Sequence, residues 1–141
     1  MYIIVVGCGR VGAYLGNRLS REGHDVVMID QSEAAFDSLA EDFGGFKLVG
    51  DATEVDTLHK ARIEDADLVV AATQYDNVNL MIAQIAKRVF NVPLVLARVF
   101  DPKREEIYRV LGVETVCPTT LSAERVISII RDWSSSERTS R

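Results

Sequence analysis

Four stretches of this chain are apolar at every position: Ile3-Ile4-Val5-Val6, Val26-Val27-Met28-Ile29, Leu68-Val69-Val70-Ala71-Ala72 and Leu94-Val95-Leu96-Ala97. A strand with one wet face alternates apolar and polar residues, whereas a strand covered on both faces has no reason to alternate. Each stretch is too short for a buried helix, so the pattern specifies a parallel sheet sandwiched between helices. With two weaker runs, the predicted strands are residues 2–6, 25–29, 46–49, 68–72, 94–99 and 114–116.

The intervening segments carry a helical period. Val11, Leu15 and Leu19 step by four and give a first helix its apolar face, ended at Glu22-Gly23. Ser32 stands as the N-cap of a helix over 34–42. Val78, Ile82, Ile85 and Val89 form the stripe of a longer helix, stopped by Asn91 and Pro93. Pro102 starts a helix over 103–111, with Gly112 just past its end. A last helix runs over 121–133; its stripe of Val126, Ile129, Ile130 and Trp133 must cover either the sheet or a second copy. Residues 134–141, SSSERTSR, read as a polar tail or linker. Strands alternating with helices predict an α/β fold: a Rossmann-type, doubly wound, six-stranded parallel sheet with helices on both faces.

Gly7-Cys8-Gly9-Arg10-Val11-Gly12 follows the first strand and opens the first helix, which is the setting a G-x-G-x-x-G loop requires. Gly7 allows the tight turn, Gly9 leaves room for a pyrophosphate, and Gly12 lets the helix pack closely. The helix start then offers unpaired N–H groups to an anion. Asp30 closes the second strand about 20 residues downstream, where a carboxylate accepts both ribose hydroxyls and repels a 2′-phosphate. NAD or another adenosine nucleotide is therefore expected in preference to NADP. Cys8 reads as a small filler, since no base lies near it in sequence.

Composition removes other classes. The 141 residues are 48% apolar and 26% charged with net charge −5, suited to one soluble domain and not to coating nucleic acid. No apolar run reaches the roughly 18 residues of a membrane span, so a cytoplasmic location is expected. Two cysteines and two histidines, all distant in sequence, suggest neither a disulfide framework nor a zinc site.

The segments VVGCGRVGAYLGNRLSREGHDVVMID, LVGDATEVDTLHKARIEDADLVVAAT, DNVNLMIAQIAK, LVLARV and LGVETVCP resemble, in order and spacing, the RCK (KTN, TrkA-N) nucleotide-binding domain of Trk/Ktr potassium-uptake proteins. The similarity extends from Met1 to about Arg131, and residues 1–133 are expected to be that domain. The resemblance implies a cytosolic regulatory subunit rather than an enzyme, holding NAD(H), ATP or ADP as a ligand and not as a redox cofactor. It implies a homodimer or larger ring acting on a membrane-embedded potassium-transport subunit. Gly7, Gly9, Arg10, Val11 and Gly12 would form the phosphate loop, with Arg10 near terminal phosphates and Asp30 on the ribose. Asp51, Ala52 and Thr53 would border the adenine, Ala72 and Thr73 would line the mouth above the fourth strand, and Arg98 would approach the phosphates. Asn79 could reach the site, cap a helix or face an interface.

Two departures from the family pattern bear on function. Where many relatives carry Pro-Glu after the last strand, and some use the acid to hold a cation, this chain has Cys117-Pro118-Thr119-Thr120, so no metal is expected. The family's smaller C-terminal subdomain is also absent from this stretch, and with it the site for regulators such as cyclic di-AMP. The alternatives are a small NAD-dependent oxidoreductase or the regulatory domain of another cation transporter. The first would need a substrate-facing acid–base pair, and His24 and His59 read as turn and surface residues.

Overall fold

The chain is described here from a computed structural model covering residues 1–140. Strands β1 (Tyr2–Val6), β2 (Asp25–Asp30), β3 (Phe46–Val49), β4 (Leu68–Ala71), β5 (Leu94–Arg98) and β6 (Glu114–Val116) form one sheet in the order β3-β2-β1-β4-β5-β6. Every neighbouring pair is parallel. The chain builds outward from β1 to β3, then returns to the other side of β1 for β4 to β6. The two connections leaving the centre thus diverge at β1 and β4, opening a crevice beyond their carboxyl ends.

The alternation of side chains along each strand feeds two cores. Ile3 and Val5, with Val26 and Met28, pack under helix α1 (Arg10–Arg21). Ile4 and Val6 face the opposite layer, built from α2 (Val55–Lys60), α3 (Asp76–Gln84) and α4 (Glu105–Val110). Both faces of the central strands are dry, which is why their sequences do not alternate.

The helical layer departs from expectation in four places. Helix α1 buries Gly12, Ala13 and Gly16, while Val11 is exposed and Leu15 and Leu19 only flank the core. The small residues let the helix axis approach closely: a Cβ on Gly16 would lie 2.6 Å from the Met28 sulfur. The helix expected over 34–42 is a 3₁₀ segment, Glu33–Ser38, and the Ser32 side chain caps nothing. Only Phe36 and Leu39 are buried there, and their three-residue spacing suits the 3₁₀ period. After Gln84 the third helix widens into a π turn, Ile85–Val89, marked by the Phe90 amide donating to the Ile85 carbonyl (3.3 Å). Ala86 stays inward one turn after Ile82, but the extra residue slips the phase beyond it, so Val89, expected in the stripe, faces solvent.

The fourth departure is helix α5, Pro118–Thr139, which continues well past Trp133. The Ser-rich stretch read as a polar tail or linker is helical through 139, and Arg141 lies outside the described residues. Its hydroxyls turn back onto the helix, Ser135 onto the Arg131 carbonyl (3.0 Å) and Thr139 onto the Ser135 carbonyl (2.8 Å). No residue of α5 is buried, and Val126, Ile129, Ile130 and Trp133 are all more than half exposed. Of the two covers expected for this stripe, the sheet is not one.

Candidate functional site

The loop between β1 and α1 is shaped by backbone contacts that only glycine permits. Gly7 has φ +98°, its amide donates to the Ile29 carbonyl (2.8 Å), and a Cβ there would sit 2.7 Å from the Ala72 carbonyl oxygen. It joins the exits of β1, β2 and β4 at one point. A Cβ on Gly12 would overlap the Gly7 carbonyl oxygen, so this glycine serves the loop more than the sheet. Gly9 differs: a Cβ there would meet nothing within 4 Å. It is the N-cap of α1, no side chain caps it, and no acid stands in the first turn. The leading amides of α1 therefore open onto free space, with no cap and no acid of the helix's own first turn against them.

Asp30 borders this loop directly. One carboxylate oxygen accepts the Cys8 amide (2.8 Å) and the other accepts the Ser32 amide (2.9 Å). The acid thus anchors the glycine loop from β2, and a carboxylate still has lone pairs to spare for hydroxyl donors. Burial, then the Asp30 charge, raises the Cys8 thiol above its usual pKa, which favours the protonated thiol over the nucleophilic thiolate.

Beyond β3, the Gly50 amide donates to the Asp30 carbonyl (3.0 Å) and brings the next turn alongside. Asp51 accepts the Thr53 hydroxyl (2.6 Å) and amide (2.9 Å), and these two bonds hold its carboxyl below the ordinary range. The N-cap of α2 is Glu54, so Asp51 shapes a turn and does not cap the helix. Ala52 points into the core.

On the other side, Ala72 is buried at the exit of β4, its amide donating to the Val6 carbonyl (2.8 Å). Thr73 is gripped by Asn79 of α3. Arg98 ends β5 with its guanidinium 4.3 Å from the centre of the Phe100 ring, and its buried Nε has no hydrogen-bond partner among the described residues. Arg10 is exposed at the first position of α1, in no ion pair among the described residues. At a strand spacing of about 4.8 Å, the row from Asp30 on β2 to Arg98 on β5 spans roughly 14 Å.

A shallow cleft of about 470 Å³ lies one strand further along, lined by Tyr75, Asp76, Asn77, Phe100, Asp101 and Arg104 among others. It contains none of the glycine-loop amides, and Arg104 there already stands 3.9 Å from both Asp76 and Asp101. The uncapped amides lie at the loop and not in this cleft. Thr119 donates its hydroxyl to the Phe100 carbonyl (3.1 Å), and Thr120 donates to Glu105 (3.0 Å). His59 pairs with Glu64 and His24 with the terminal amine, both on the surface.

The sequence model of the TrkA-N domain matches residues 3–119. The chain belongs to the TrkA-N domain family. Among curated relatives, the Trk system potassium uptake protein TrkA of Streptomyces coelicolor is 39% identical over 127 residues, covering 90% of this chain and 57% of that protein. A TrkA homolog from Methanothermobacter thermautotrophicus is 37% identical over 116 residues, covering 82% of this chain and 53% of its own length. This chain therefore spans little more than half of these relatives. Among solved structures, the Kef CTD of Shewanella denitrificans in AMP-bound form superposes with a TM-score of 0.75 at 29% identity, covering 89% of this chain and 77% of that one.

The relatives are named for Trk potassium uptake, and neither name gives a reaction. No helix among the described residues is long and apolar enough to cross a membrane. The geometry gathers Gly7, Gly9, Asp30, Ala72 and Thr73 around one crevice. Asn79, whose role the sequence left open, is fully buried and serves neither as a cap nor on a surface. Its signal was a polar residue inside an apolar helical stripe, one turn after Asp76.

Proposed function

We propose that this TrkA-N chain is the nucleotide-sensing regulatory domain of a potassium-uptake system. An adenosine nucleotide, NAD(H) or ATP/ADP, lies across the crevice between β1 and β4. Its phosphates meet the amides of Gly9 to Gly12 and the guanidinium groups of Arg10 and Arg98. Asp30 takes the ribose, Asp51 to Thr53 border the adenine, and Ala72 and Thr73 close the mouth. The observation that carries this reading is the uncapped start of α1, open at Gly9 and flanked by Asp30. The AMP-bound form of the similar Kef CTD supports an adenosine ligand, and the names of the TrkA relatives support the potassium system.

Residues 1–133 form the nucleotide-binding unit and the bare stripe of α5 is its surface for a second copy, in a homodimer or ring. Nucleotide exchange changes the packing of that assembly, which biases a membrane-embedded potassium subunit from the cytoplasmic side. Calorimetry with NAD, ATP, ADP and NADP tests the binding step. NAD and ADP should bind with one site per chain, NADP more weakly because Asp30 repels its 2′-phosphate, and Asp30→Ala should weaken NAD and ADP at least about tenfold. Equal affinities for NAD in the wild type and Asp30→Ala would remove Asp30 from the site.

A further inference from the structure

Asn79 has no solvent exposure, and each hydrogen-bonding position of its amide is used. Its Nδ2 donates to the carbonyls of Thr73 (3.0 Å) and Arg98 (2.9 Å), while Oδ1 accepts the Thr73 amide (2.9 Å) and hydroxyl (2.6 Å). Thr73 leaves β4 and Arg98 ends β5, so one side chain of α3 ties two neighbouring strand ends. Asp76, one turn earlier, accepts the amides of Phe100 (2.8 Å) and Asp101 (3.2 Å), fixing the ring on which the Arg98 guanidinium rests. The chemistry demands a carboxamide at 79. Aspartate would set a charge against two carbonyl oxygens, and leucine would leave the Thr73 amide and both carbonyls unpaired.

Arg98 has no ion pair among the described residues and a buried Nε without a partner, so its aim depends on how its backbone is held. We propose that Asn79 is a positioning residue of the nucleotide site, which never touches ligand but sets the gap between Thr73 and Arg98 so that the arginine meets the phosphates. The inference rests on the nucleotide reading above.

The test is a double-mutant cycle on ADP affinity, measured by calorimetry with the whole chain. Arg98→Ala and Asn79→Ala should each weaken ADP by about tenfold, and the double variant should be no weaker than Arg98→Ala alone. A merely structural asparagine gives full additivity, and that result overturns the proposal, as does Arg98→Ala binding ADP like the wild type. Both outcomes leave the nucleotide reading standing, whereas a wild type that binds no ADP brings down the two together. Should Asn79→Ala not fold, amide spectroscopy on the folded chains decides. The Asn79 side-chain NH2 signals should shift when ADP saturates the wild type and stay put when it is added to Arg98→Ala; unmoved signals in the ADP-saturated wild type overturn the inference.

Discussion

Gly7 and Gly9 stand two residues apart in one loop, yet alanine at each should do opposite things. At Gly7 the backbone is at φ +98°, which costs an L-residue about 1–2 kcal/mol, and the new Cβ would lie 2.7 Å from the Ala72 carbonyl oxygen. That oxygen belongs to rigid backbone at the exit of β4, so relief requires a main-chain shift costing about 1–3 kcal/mol more. The sum, about 2–5 kcal/mol, lowers Tm by roughly 6–15 °C for a domain of this size. At Gly9 φ is −80° and a Cβ meets nothing within 4 Å, so alanine loses only the preference for glycine at an N-cap, about 0.5–1 kcal/mol. Its methyl group, however, fills the space assigned to the phosphates. Thermal melts beside ADP titrations should therefore separate the pair: Gly7→Ala melts early, while Gly9→Ala melts within about 3 °C of wild type and binds ADP about tenfold or more weakly. Wild-type affinity in Gly9→Ala would refute the path of the phosphates. A wild-type Tm in Gly7→Ala would refute the account of the loop.

Three other outcomes follow from the same geometry. The lowered Asp51 carboxyl contributes stability that is complete above the unfolded carboxyl range near pH 4 and is lost as pH falls through the folded value. Thr53→Val removes the hydroxyl bond and keeps the amide bond, and should raise the Asp51 titration midpoint, read by NMR of the carboxyl carbon; no change would exclude the Thr53 hydroxyl as a cause. Ile130→Glu and Trp133→Glu should convert an assembled wild type to monomers in light scattering with the fold of each chain kept in circular dichroism, because no residue of α5 is buried within one chain. Cys8 should react with a thiol reagent at neutral pH only on unfolding, and rapid labelling of the native chain would contradict its buried, protonated state.

The sheet was legible because its signal is local. Residues 3–6 and 26–29 have no polar positions, and only strands covered on both sides tolerate that; the glycine loop was legible because it needs a strand before it and a helix after it. The failures share a cause, which is competition between local period and tertiary contact. The Ser32 amide went to Asp30, leaving two apolar side chains at a 3₁₀ spacing. The π turn at Ile85–Val89 adds a residue without breaking hydrophobicity, so Val89 still looked like core. The Ser-rich end of α5 has poor helix composition, and its hydroxyl-to-carbonyl bonds exist only once the helix has formed. Asn79 was ambiguous because its four hydrogen bonds go to Thr73, just past β4, and to Arg98 of β5, and no sequence window contains both.

The central claim concerns where a diphosphate sits, and a crystal structure of the chain soaked with NAD or ADP reads that directly. Diphosphate density should lie against the main-chain amides of Gly9 to Gly12, with a ribose on the Asp30 carboxylate. Density in the cleft between Tyr75 and Arg104, or none in the crevice at saturating ligand, would contradict it.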